Sequence, residues 1–193
     1  MIVISSPARA EQILQAGQMS CPGCKGTLGP FGYGRTRTVR GLGADTVTVT
    51  PRRTRCADCS ATHILLPTQL TVRRADSTEV IGHALIAKVR GMGFRTIAAR
   101  LGRSPSTVRR WLRRVPAEHA EWLYQQAVQF AVTIDPELLG NPFQRPPSSV
   151  LERALNLLGA TARRYRQLGL TDPPWALVAM FSRGRLLAPP LII

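Results

Sequence analysis

The sequence predicts an α+β chain in three parts: an N-terminal four-cysteine zinc ribbon over residues 1–72, a central helix-turn-helix over 77–115 and an all-helical C-terminal region over 117–193. Three observations carry that prediction. All four cysteines fall into two Cys-x-x-Cys pairs, Cys21/Cys24 and Cys56/Cys59, enclosing a Thr- and Arg-rich stretch. From Ser77 onward apolar residues recur at three- and four-residue intervals, the period of a helix with one buried face. A short helical unit with a Gly-containing turn then leads into Val108-Arg109-Arg110-Trp111-Leu112-Arg113-Arg114, an apolar stripe framed by arginines.

The bulk composition agrees with this division. A chain of 193 residues with 44% hydrophobic content has enough apolar material for real cores, which excludes disorder throughout. Its 26 basic residues face 11 acidic ones, and the net charge of +15 favours a polyanionic partner. Only Lys25 and Lys88 among the basic residues are lysine; arginine suits phosphate and guanine edges, although a GC-rich coding sequence would produce the same bias. The start, Met1-Ile2-Val3-Ile4, has no basic leader, and no window approaches the roughly 18 apolar residues of a spanning helix. The sequence therefore predicts a cytoplasmic, nucleoid-associated protein with no membrane partner, in which paired cysteines hold metal rather than form disulfides.

Each cysteine pair has the spacing that lets two thiolates converge on one ion from a tight turn. Pro22-Gly23 fill the first turn and Ala57-Asp58 the second. Four thiolates complete a tetrahedral shell with no open position for substrate water, so Cys21, Cys24, Cys56 and Cys59 are expected to bind one structural zinc. Thiolates alone also suit an iron–sulfur cluster. A redox Cys-x-x-Cys would open a helix in a βαβ unit, and neither pair has that setting. His63 lies four residues beyond Cys59 but is not needed as a fifth ligand. Between the pairs, Thr36 to Arg40 and Thr46 to Thr50 are strand-like and joined by Gly41-Leu42-Gly43-Ala44-Asp45, which predicts a hairpin and a three-stranded unit. Arg35, Arg37, Arg40, Arg52, Arg53 and Arg55 are candidates for contacts along a DNA backbone.

In the central part, Val80, Ile81, Ala84, Leu85 and Val89 predict a helix over Thr78 to Arg90 with Ser77 as its cap and Glu79 in its first turn. Gly91-Met92-Gly93 ends it. Thr96 to Leu101 predicts a second helix that buries Ile97, Ala98 and Leu101, and Gly102-Arg103 makes the turn before Ser104 caps a third helix beginning at Pro105. Val108, Trp111 and Leu112 share one face of that third helix and anchor it, which makes Trp111 a core residue rather than a stacking platform. In a helix-turn-helix the early residues of the second helix approach base edges and later ones meet phosphates. Ser106, Thr107 and Arg110 are accordingly the base-reading candidates; Arg103, Arg109, Arg113 and Arg114 are the backbone candidates, with Arg95 and Arg100 from the preceding helix gripping the same groove. A small protein-interaction bundle could share these turns, but no acid lies between Arg95 and Arg114 to balance the arginines.

With these residues in place, the order of modules resembles a known arrangement. Cys-Pro-Gly-Cys at 21–24, Arg37-Thr38-Val39-Arg40-Gly41-Leu42 and Arg52-Arg53-Thr54-Arg55-Cys56-Ala57-Asp58-Cys59 resemble the N-terminal zinc ribbon of the ISL-three group of insertion-sequence transposases, in which a helix-turn-helix follows. The chain is also similar to small actinobacterial proteins that share both parts. The resemblance covers roughly residues 1–115. It implies that the four cysteines are zinc ligands, that the run from Ser104 to Trp111 begins the recognition helix and that transposon ends or similar duplex sites are bound. Transposition itself needs a ribonuclease-H-like domain with three carboxylates around two metals. The acids beyond Glu121 are Asp135, Glu137, Glu152 and Asp172, in capping or helical contexts, so the chain is expected not to be an enzyme.

Pro116 marks a boundary. Beyond it, Glu118 to Val132, Ser149 to Leu168 and Trp175 to Phe181 are predicted helices, separated by Pro136, Pro142, Pro146 and Pro147 and by the terminator Gly169. These helices could extend the core, pair with a second copy to make a homodimer, or recruit a larger protein; Leu186-Leu187 and Leu191-Ile192-Ile193 would favour an interface if exposed. The leading expectation is a sequence-specific, double-stranded DNA-binding protein acting as a transcriptional regulator or a transposon-related targeting component. The alternatives are a zinc-stabilised protein adaptor and a truncated transposase derivative that occupies transposon ends.

Overall fold

The computed structural model describes residues 1–140, 146–169 and 174–188. The N-terminal part is built on a four-stranded sheet. Strand β1 (Ile2–Ile4) is followed by helix α1 (Pro7–Gln15), which Ser6 caps by accepting a hydrogen bond from the Arg9 amide. Next come β2 (Leu28–Tyr33), β3 (Arg37–Arg40), β4 (Thr46–Val49), β5 (Arg52–Cys56) and β6 (Thr62–Pro67). The sheet order is β1-β6-β5-β2, with β1 parallel to β6 and the other two pairings antiparallel.

The predicted hairpin forms over β3 and β4, but it is a separate two-stranded sheet rather than part of a three-stranded unit. Its composition explains the separation. Apart from Val39, which is buried, and half-covered Arg37 and Val49, the strand residues are exposed, so the hairpin has only one narrow apolar edge to bury. The place next to β5 is taken by β6, whose consecutive Leu65 and Leu66 point to opposite faces. Leu65 packs with Ala10, Leu14, Leu28, Cys21 and Cys56, whereas Leu66 packs with Val39 and Leu70 under the hairpin.

The central helices follow the apolar period closely. Helix α2 (Thr78–Val89) is capped by Ser77, whose hydroxyl accepts from the Val80 amide. Helix α3 (Phe94–Leu101) begins two residues earlier than predicted, with Gly93 at its N-cap, and ends at Gly102 in the left-handed conformation, φ 61°. Helix α4 (Pro105–Leu112) starts where Ser104 caps it. The chain continues through α5 (Ala117–Ile134), a 3-10 turn (Pro136–Leu139), α6 (Val150–Gln167) and α7 (Pro174–Phe181).

One hydrophobic core crosses Pro116. It joins Val80, Ile81 and Leu85 of α2, Ile97 of α3, Val108 and Trp111 of α4, Ala127 of α5, Leu158 of α6 and Phe181 of α7. The C-terminal helices thus support the helix-turn-helix from behind. Leu186 and Leu187 are buried in the same core, 0% and 3% exposed, and offer no interface. Pro142, Asp172 and Leu191-Ile192-Ile193 lie outside the described residues. Helix α7 approaches α2 so closely that a Cβ on Gly82 would overlap the Trp175 ring.

Candidate metal centre and nucleic-acid interface

The two cysteine turns are near copies of one another. In the first, the Cys21 amide donates to Gly26 O at 2.7 Å; in the second, the Cys56 amide donates to Ala61 O at 2.9 Å. The residue after each second cysteine is left-handed, Lys25 at φ 68° and Ser60 at φ 58°. The turns close on each other at Gly26, where a Cβ would overlap an Asp58 carboxylate oxygen, so only glycine allows the approach.

All four sulfurs lie within 4.8 Å of one another, and none is in a disulfide. Cys21 Sγ is 3.8 Å from Cys59 Sγ, and Cys24 Sγ is 3.4 Å from Cys56 Sγ. A tetrahedral zinc with Zn–S bonds near 2.3 Å has S···S edges of about 3.8 Å, so the donor set and its spacing fit one such ion. Two of the four thiols are shifted, in opposite directions. Amides of Cys24 and Gly23 hold the Cys21 thiol down to about 6. At Cys24 the Gly26 amide favours the thiolate, but the neighbouring Cys59 and Cys56, with burial, push the thiol up to about 12. Four thiolates this close call for a cation among them. His63 sits beside the cluster with Nε2 3.5 Å from Cys21 Sγ.

The second region is centred on α4. Val108 and Trp111 are 0% and 2% exposed and lock the helix to the core, leaving Ser106, Arg109, Arg110 and Arg113 exposed. The Ser104 hydroxyl accepts from the Thr107 amide at 3.3 Å and donates to Thr107 Oγ1 at 2.9 Å, so the Thr107 hydroxyl is engaged in the cap. Arg95 and Arg100 are exposed on α3. Two guanidinium groups approach the Phe94 ring, Arg95 at 5.7 Å and Arg109 at 5.9 Å from its centre.

Arg103 is a correction to the sequence expectation. Its side chain is only 5% exposed; Nε donates to Asp76 at 2.6 Å and Nη2 to Gly41 O at 2.5 Å. It ties the turn of the helix-turn-helix to the hairpin, and its donors are spent within the chain. Two ribbon arginines are partly committed as well. Arg40 Nη2 donates to Asp76 at 2.8 Å, and Arg52 Nε donates to Glu11 at 3.0 Å. Arg35 is exposed at the base of the hairpin; Arg53 and Arg55 flank the exposed Phe31 ring at 5.2 and 5.4 Å from its centre. Arg37 has its Nε buried without a hydrogen-bond partner, and burial lowers its pKa.

Sequence reasoning missed the segment between the two modules. Asp76 is 3% exposed and receives both Arg40 and Arg103. Arg74, two residues earlier, has a buried Nε with no hydrogen-bond partner and no acidic partner among the described residues. The one local signal was the pair Arg73-Arg74 followed by Asp76 immediately before a helix cap.

These features define the class: a chain that couples a four-cysteine cluster, compatible with a zinc ribbon, to an arginine-rich helix-turn-helix inside a larger helical core. Residues 83–115, from the middle of α2 to the end of the turn after α4, match the model of a helix-turn-helix domain family found in transposases. No curated protein and no solved structure matches the chain. No helix among the described residues is long and apolar enough to cross a membrane.

Proposed function

We propose that this chain binds double-stranded DNA sequence-specifically, as a transcriptional regulator or a transposon-related targeting protein, without catalysing a reaction. The exposed face of α4 carries the reading. Opposite buried Val108 and Trp111 it presents Ser106, Arg109, Arg110 and Arg113, with no acid between Arg95 and Arg114. Such a face repels itself in isolation and is relieved by phosphate.

In this reading α4 enters the major groove, Ser106 and Arg110 approach base edges, and Arg95, Arg100, Arg109 and Arg113 hold backbone phosphates. Thr107 serves chiefly as part of the cap. One structural zinc, held by Cys21, Cys24, Cys56 and Cys59, stabilises the ribbon that carries the hairpin. Arg35, Arg37, Arg53 and Arg55 extend the positive surface beyond the helix.

The test is binding of the full chain to a duplex selected from a random library, compared with a scrambled duplex over a range of salt. Preference of about a thousandfold or more, falling steeply with salt, supports the reading. Equal weak affinity for both duplexes would leave the alternative of a zinc-stabilised protein adaptor. Genomic occupancy concentrated at mobile-element ends rather than promoters would favour the truncated transposase derivative over a regulator.

A further inference from the structure

The four-stranded sheet has two unlike faces. On one, Leu28 of β2, Cys56 of β5 and Leu65 of β6 pack with Ala10 and Leu14 of α1. Side chains alternate along a strand, so Arg53 and Arg55 of β5 and Thr62 and Ile64 of β6 point to the other face. The register sets Arg53 opposite Ile64 and Arg55 opposite Thr62. Phe31 of β2 joins them, its ring centre 5.2 Å from the Arg53 guanidinium and 5.4 Å from that of Arg55. The hairpin covers this face only at Leu66. Beside it Phe31 and Ile64 are 39% and 40% exposed, and Arg55 and Thr62 are exposed as well.

A bulge sorts the two exposed aromatics of β2. The register shifts between Pro30 and Tyr33, with Gly32 at φ 72°, and Tyr33 pairs with Arg52. The Arg52 guanidinium lies 4.6 Å from the Tyr33 ring centre and is bonded to Glu11 of α1, so that pair belongs to the covered side. Phe31 stays on the bare side. There the guanidinium groups of Arg53 and Arg55 make no hydrogen bond or ion pair among the described residues, and contact with a ring leaves their planar forks of N–H donors free. Free donors for anions beside an exposed flat ring match a nucleotide strand, which offers phosphates and base faces together. A duplex offers the phosphates alone, because its bases stack on one another. Its major groove admits a helix or a two-stranded ribbon, whereas this face spans three strands. Unpaired bases can splay across such a sheet and stack on its aromatic side chains.

We propose that the bare face of β2, β5 and β6 is a platform for single-stranded nucleic acid, on which a base stacks against Phe31 while Arg53 and Arg55 hold the adjoining phosphates. Ile64 supplies apolar contact beside the ring. The proposal goes beyond the duplex reading of α4 and does not depend on it. It gives the ribbon a ligand of its own, an unpaired strand, and gives the exposed Phe31 ring a role that backbone contacts to a duplex would not use.

The experiment uses the full zinc-loaded chain and three strands of equal length: an oligothymidine of about ten nucleotides, the same backbone without bases, and an oligouridine. Phe31→Leu should weaken oligothymidine binding about tenfold at an unchanged salt slope, and should leave the abasic strand and the selected duplex at wild-type affinity. Arg53→Gln and Arg55→Gln should each shrink the slope of log affinity against log salt for the oligothymidine by about 0.7. Phe31→Trp keeps a stacking ring and should keep wild-type affinity, which separates stacking from loss of fold. Its emission beyond that of the three native tryptophans should be quenched by the oligothymidine and not by the abasic strand. Tighter binding of the oligothymidine than of the oligouridine identifies the strand as DNA and the reverse as RNA; either supports the platform. Equal losses on the oligothymidine and the abasic strand in Phe31→Leu, wild-type affinity in that variant, or no quenching in Phe31→Trp would overturn it. Failure of the wild-type chain to prefer any duplex, with the oligothymidine results as expected, would overturn the α4 reading and leave the platform standing.

Discussion

Asp76 accepts a hydrogen bond from Arg103 Nε at 2.6 Å with the two side chains 4% and 5% exposed, and the same carboxylate receives Arg40 Nη2 at 2.8 Å. Through this one acid the β3–β4 hairpin, the linker and the turn before α4 are fastened together. Arg103 adds bonds to the carbonyls of Leu101 and Gly41, so its fork is nearly saturated.

Removing one partner of a buried pair leaves the other charge uncompensated. Asp76→Ala is expected to cost about 3–5 kcal/mol in urea unfolding, whereas the double replacement Asp76→Leu with Arg103→Met should cost less than the single change. A single-variant cost below about 1 kcal/mol would mean that the pair is peripheral to the fold.

The metal prediction follows from the separation of the cores. Cys21 and Cys56 pack with Leu14, Leu28 and Leu65, while the helices share a different cluster. One zinc per chain is expected by elemental analysis, and chelation should abolish amide protection at the two cysteine turns and β2, β5 and β6 far more than in α2 and α4. Helices that lose protection in step with the ribbon would show that the two cores fold as one.

Much of this architecture was legible because it is local. The Cys-x-x-Cys spacings located both turns, and the period of Val80, Ile81, Ala84 and Leu85 set α2 to within a residue of its end. Ser104 and Pro105 fixed the start of α4, and Val108 and Trp111 identified its buried face. What was not legible is long-range. Strand β1 pairs with β6 across some 60 residues, Ile2 with Leu65, and nothing in a three-residue apolar run specifies that partner. Arg103 reads as one more surface arginine until the fold brings Asp76, 27 residues away, against it. The core that crosses Pro116 was one of several readings the sequence left open, since a proline marks a local break and says nothing of what packs across it.

Gly82 tests the contact between α2 and α7. An alanine in a helix interior ordinarily stabilises by about 1 kcal/mol relative to glycine. Here the new methyl would meet the Trp175 ring, which also lies 5.5 Å from the His83 ring. Gly82→Ala is therefore expected to lower stability by about 1–3 kcal/mol, and to become neutral or stabilising in a Trp175→Ala background. The same sign in both backgrounds, read by chemical denaturation, would mean that the ring moves aside at little cost.

The final prediction concerns pH and uses His119, which stacks on Trp122 at 5.3 Å and reaches Arg185 O from Nε2 at 3.0 Å. A carbonyl accepts, so Nε2 carries the proton. Burial, the largest influence, lowers the pKa from 6.5; the backbone bonds to Arg185 and Leu186 oppose it, and the Arg185 charge lowers it further. The folded state thus favours neutral imidazole. The stability contributed by this residue is present above the unfolded value of 6.5 and is lost as pH falls through the depressed folded value. His119→Gln keeps a donor without a titrating ring. Because acid also acts on the other titrating groups of both proteins, the informative quantity is the stability difference between wild type and variant. Measured by thermal or urea unfolding from about pH 8 down to about pH 5, that difference should shift against the wild type as the imidazole is forced to charge. A difference constant across this range would mean that His119 titrates alike in the folded and unfolded chain, and that its burial does not hold it neutral.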